Sequence, residues 1–62
     1  MTRATSERVA AELTAMGYGH DDDVVTEDLA EAAERAGFKW DADDNVAMAI
    51  LDLAVGIATG RA

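Results

Sequence analysis

The chain is 62 residues long, with thirteen acidic residues against five basic ones, a formal net charge of −8, one His, no Pro and no Cys. At this length one domain, residues 1–62, is the ceiling, and a domain so small buries only about 60% of the surface its unfolded chain exposes. Without Cys there is no disulfide and no thiolate metal site, and a single His excludes a multi-histidine centre within one chain. A second subunit is the staple that remains for so thin a core.

The acidic balance opposes direct binding of nucleic acid, because phosphates are neutralised by Lys and Arg. It equally opposes an anionic membrane surface, and it steers the chain toward basic partners. Residues 1–10 carry no apolar core of the kind a signal peptide needs. The longest nearly apolar run, Val46 to Ala58, is interrupted by Asp52 and falls short of the roughly 20 residues that span a bilayer. A cytoplasmic location is therefore expected.

A first helix is predicted from about Arg3 to Met16, with Thr2 or Thr5 as its cap and Val9, Leu13 and Met16 as its apolar stripe. Gly17 stands where a left-handed residue ends a helix. Gly17 to Asp23 reads as a loop, and Val24-Val25 as an extended pair with no partner strand. A second helix is predicted from Glu27 to Ala36, capped by Thr26. Glu27 and Asp28 complement the dipole of its first turn, and Leu29, Ala32, Ala33 and Ala36 form its inner face. Gly37 ends it, and Phe38 is positioned to fold back over Ala33. Phe38-Lys39-Trp40 reads as a connector whose two aromatics plug the core.

A third helix is predicted from Ala42 to Thr59, with Asp41 as cap and Asp43 and Asp44 in its first turn. At about 100° per residue, Val46, Ile50, Leu53 and Ile57 line one face, and Met48, Leu51 and Val55 line nearly the opposite one. Asn45 and Asp52 form the polar strip between them. The first face is the expected core face. The second calls for an additional covering, and a symmetric copy is the commonest supplier of one. The expected core anchors are Leu13, Leu29, Phe38, Trp40, Ile50 and Leu53.

Motifs for chemistry are weak. Asp41, Asp43, Asn45 and Asp52 match positions 1, 3, 5 and 12 of a calcium loop, but position 6, which needs Gly, is Val46. The same stretch is also the best helical pattern in the chain. His20-Asp21-Asp22-Asp23 reads as a solvated loop, since consecutive Asp side chains do not converge on one ion. Gly17-Tyr18-Gly19 lacks the Lys of a phosphate loop. Gly56 and Gly60 have a helix-packing spacing whose force belongs to membranes. Thr26 to Gly37 has the look of a helix-turn-helix opening, yet the helix that would read DNA begins with Asp41, Asp43 and Asp44. No metal, cofactor or catalytic residue is expected.

Leu13-x-x-Met16-Gly17-Tyr18 resembles the end of the first helix and the following loop of ubiquitin-associated domains. Asn45-Val46-x-x-Ala49-Ile50-x-x-Leu53 resembles their last helix. The resemblance covers both ends and not the middle, where a longer segment separates the two motifs. Ala54 stands where that family often has a second apolar residue used in binding. The resemblance implies a compact three-helix bundle that contacts partner proteins through that loop and the last helix.

The expectation is an all-α, three-helix bundle with a central, nearly all-round apolar C-terminal helix. It would work as a non-enzymatic protein-interaction module that binds a partner protein and a second copy of itself. The partner-binding residues would be Met16, Tyr18, Met48, Leu51 and Val55. The alternative is an acidic inhibitor that imitates nucleic acid in a basic cleft. The two differ in chemistry, because charge mimicry weakens with salt and apolar docking does not.

Overall fold

The computed structural model describes residues 2–61, the side chain of Thr2 excepted, and contains three helices: α1 (Thr2–Ala15), α2 (Thr26–Arg35) and α3 (Asn45–Ala58). No strand is present among the described residues, and the chain is an all-α three-helix bundle. Helix α1 packs against both of the others, chiefly α3, while α2 and α3 meet only lightly, so α1 and not the expected C-terminal helix is central. No helix of the described residues is long and apolar enough to cross a membrane.

All three helices end the same way. Gly17, Gly37 and Gly60 have φ of 104°, 77° and 76°. After α2, the Phe38 N–H donates to Ala33 C=O at 2.9 Å and the Gly37 N–H to Glu34 C=O at 3.0 Å, the two bonds of a Schellman ending. Tyr18 and Gly17 repeat this pattern on Leu13 and Thr14, and Arg61 and Gly60 repeat it on Gly56 and Ile57. Left-handed backbone is cheap only for glycine, so this punctuation sets where each helix stops.

The starts depart from expectation. Asp44, not Asp41, caps α3, accepting from Val46 N–H at 3.0 Å and Ala47 N–H at 3.2 Å. Asp41 instead accepts the Asp44 N–H through its carbonyl oxygen at 2.9 Å, closing a turn that delays the helix by three residues relative to an Ala42 start. Val25, not Thr26, occupies the cap position of α2 and makes no side-chain capping bond. Glu27 and Asp28 in the first turn and Arg35 in the last still suit the helix dipole. A cap by the Thr2 side chain lies outside what is described, and Thr5 sits within α1.

The core is built largely from alanine: Ala10, Ala32, Ala33, Ala36 and Ala54 surround Val9, Leu13 and Leu51. This overturns the assignment of faces on α3. Its buried residues are Ala47, Leu51 and Ala54, and Leu51 is only 1% exposed. Val46 is 62% exposed, and Ile50 and Leu53 are half-buried at the margin. The physical reason is the size of the facing groups. Ser6 and Ala10 on α1 and Ala47 and Ala54 on α3 are all buried and short, and short side chains let helices pack closely. The buried Ser6 hydroxyl reaches the Ile50 carbonyl oxygen at 2.9 Å. Bulkier Val46, Ile50 and Leu53 would hold the helices apart and forfeit the close packing that interiors require.

Of the expected anchors, Leu13 is fully buried, while Leu29, Phe38 and Trp40 pack half-buried against the core. Ile50 and Leu53 lie outside that cluster. The buried polar groups are satisfied: the Thr59 hydroxyl donates to Val55 C=O at 2.7 Å, and among the described residues no buried side-chain N or O lacks a partner.

Candidate functional site

Two surface features stand out. The first is a groove beside α3, lined by Ser6, Val46, Ala49, Ile50 and Leu53, with a volume of about 180 Å³. Rotation of α3 onto its alanine stripe produces it. With Ala47, Leu51 and Ala54 turned inward, the large aliphatics one residue away fall on the flank. Val46, Ala49, Ile50 and Leu53 follow the i, i+3, i+4, i+7 spacing of a single helical stripe. Ala49 is exposed and short, which opens the middle of the stripe. Small-molecule pockets typically enclose about 300–1,000 Å³. This groove is smaller than that, about the size of one or two side chains.

The second is a more open, acidic cleft of about 330 Å³ lined by Met16, Gly17, Tyr18, Asp22, Asp23 and Asp28. The Tyr18 hydroxyl donates to the Asp28 carboxylate and accepts from the Val25 N–H at 3.4 Å, tying the loop after α1 to the start of α2. That bond to Asp28, with lesser help from desolvation, raises the Tyr18 phenol above its ordinary value of 10.0.

The loop that forms this cleft is clasped to the end of α3. Asp21, in left-handed backbone with φ of 62°, donates its N–H to Thr59 C=O at 3.0 Å. The Arg61 guanidinium donates to Asp22 C=O at 3.3 Å and lies 3.7 Å from the Asp23 carboxylate. The three consecutive carboxylates are turned to separate tasks. Asp21 lies 3.3 Å from His20, Asp22 accepts the Gly19 N–H at 2.7 Å, and Asp23 faces Arg61. Among the described residues no group of three or more His, Asp or Glu is placed to hold a metal ion.

The five residues expected to bind a partner do not form one surface. Met16 and Tyr18 meet in the acidic cleft. Met48, 38% exposed, lies on the outer side of α3, and Val55 packs half-buried against the core. Leu51 is a correction: it is interior, and no partner reaches it without opening the bundle. The groove residues Val46, Ala49, Ile50, Leu53 and Ser6 were not among the five expected to bind a partner. Their signal was the stripe Ala47, Ala54, Ala58 on either side of Leu51, which marks where α3 can be approached closely.

Comparison of the chain with protein-family models, with curated proteins and with solved structures finds no match.

Proposed function

We propose that this chain is a non-enzymatic protein-interaction module that docks through the open flank of α3. One observation carries the reading: Val46, Ala49, Ile50 and Leu53 remain outside the core cluster and line a groove, although the helix has already given its inner face to α1. A helix apolar on more than one side needs cover on more than one side. The bundle supplies one. Exposed aliphatic stripes rimmed by polar groups mark contact surfaces, and here Asn45 and Asp52 form that rim.

The self-association expected from Met48, Leu51 and Val55 loses its middle contact with Leu51 buried. The groove takes over as the proposed docking surface, with Met48 across the polar strip from it.

A photo-crosslinking residue tests this in cells of the native source. Placed at Ala49, it should give discrete protein adducts. Placed at Glu34, exposed on α2, it should give none. Equal yields from both positions, or none from Ala49, would refute the reading.

A further inference from the structure

Resting on that reading, we infer that the occupant of the α3 groove is a basic amphipathic helix of another protein, with one or two large apolar anchors flanked by Lys or Arg. The shape argues for a helix. The stripe from Val46 to Leu53 runs straight along two turns of α3, about 10 Å at 1.5 Å per residue. Such a track is read by anchors at matching helical spacing. The groove, about 180 Å³, has room for a side chain rather than for a whole ligand.

The charge argues for a basic partner. Asp52 on the outer side of α3 and Asp43 and Asp44 at its N-terminal end are all exposed. On the α1 side, Arg3 lies 3.3 Å from Glu7, so that turn contributes little net positive charge. The other arginines are engaged elsewhere: Arg8 donates to Ala36 C=O at 2.7 Å, Arg35 pairs with Glu31, and Arg61 sits at the far end of α3. Three exposed carboxylates on and just before α3, against the single Lys39 in the connector that precedes it, leave that side of the rim negative on a chain of net charge −8.

A second copy would present the same stripe and bring the same carboxylates with it. A stable interface typically buries about 800 Å² per partner, about a fifth of this chain's 4033 Å² surface. A symmetric pair that buried so much around this stripe would press the acidic rims together, and like-charge juxtaposition costs several kcal/mol. A cationic helix turns the same rim into attraction and accelerates encounter.

The experiment selects helices from a displayed library against the full chain. The probe is an amphipathic helix with two Leu anchors one turn apart and flanking positions randomised among Lys, Glu, Gln and Ser. Selection should enrich Lys over Glu at the flanks. Binding of the enriched peptide should fall about tenfold or more on Ala49→Gln, which fills the groove without changing charge. Val46→Gln, at a more exposed position, should act in the same direction, and circular dichroism of both variants should show the wild-type fold.

Enrichment of neutral or acidic flanks with the Ala49→Gln effect intact would overturn the basic occupant and leave the docking reading standing. Enrichment that neither Gln variant affects, or no enrichment at all, would overturn both. A dimer of the free chain in sedimentation, abolished by Ala49→Gln, would make a second copy the occupant and overturn the inference.

Discussion

The Ser6 hydroxyl donates to the Ile50 carbonyl oxygen at 2.9 Å, bridging α1 and α3 where the apolar groove opens. Ser6 is fully buried, so its size and its hydrogen bond together set how closely the two helices approach. Ser6→Ala keeps the close approach and loses the bond, which should cost about 1 kcal/mol. Ser6→Val loses the bond and adds bulk, and should cost about 1–3 kcal/mol more. Urea unfolding followed by circular dichroism measures both. A Val variant as stable as wild type would mean that the helices are not held at that distance.

Leu51 and Leu53 are two positions apart on α3 and should respond unequally. Leu51→Ala empties a site that is 1% exposed and should cost about 2–5 kcal/mol. A single core at this chain length supplies only about 3–5 kcal/mol, so the variant should be largely unfolded at room temperature. Leu53→Ala, half-buried outside the core cluster, should cost about 1 kcal/mol. Thermal melts give the order, and the reverse order would restore the face that the sequence favoured.

Tyr18 is the only tyrosine in the chain, so its ionisation is read directly from ultraviolet absorbance. Its bond to Asp28 raises it above 10.0 in the folded protein. The sign follows from linkage: the unfolded phenol ionises first, so the stabilisation is complete below about pH 10 and is lost as pH rises through the folded value. Asp28→Asn should move the titration back toward the ordinary value. A wild-type midpoint at or below that of the variant would contradict the Tyr18–Asp28 bond.

Gly60 combines two constraints. Its φ is 76°, and a Cβ there would stand 2.6 Å from His20 Nδ1. Gly60→Ala should therefore cost about 1–2 kcal/mol from the left-handed backbone alone, with a further part from displacing the imidazole. His20→Ala in the same background should recover the second part and not the first. A double-mutant cycle with no coupling between the positions would show that the His20 ring does not rest on Gly60.

The existence and order of the helices were legible because glycine marks their ends and apolar spacing marks their bodies. The Phe38–Ala33 ending was legible for the same reason. The cap of α3 was not, because Asp41 and Asp44 are equally good capping residues and only the turn between them chooses. The facing of α3 was the consequential loss. When Val46, Met48, Ile50, Leu51, Leu53, Val55 and Ile57 leave so narrow a polar strip, periodicity no longer selects an orientation. The choice passes to where short side chains let backbones meet, at the buried Ala47 and Ala54. Because Leu51 was among the residues expected to bind a partner, the error in facing carried over to that residue. The clasp of Asp21 and Arg61 joins groups distant in sequence and leaves no local pattern.

Everything proposed for function depends on Val46, Ile50 and Leu53 facing outward while Leu51 faces in. Methyl nuclear magnetic resonance of the free chain with a soluble paramagnetic agent measures this in one spectrum. The Val46, Ile50 and Leu53 methyl signals should broaden strongly, and those of Leu51 and Leu13 should stay sharp. Broadened Leu51 with protected Ile50 and Leu53 would contradict the orientation of α3 and remove the groove on which the proposed docking rests.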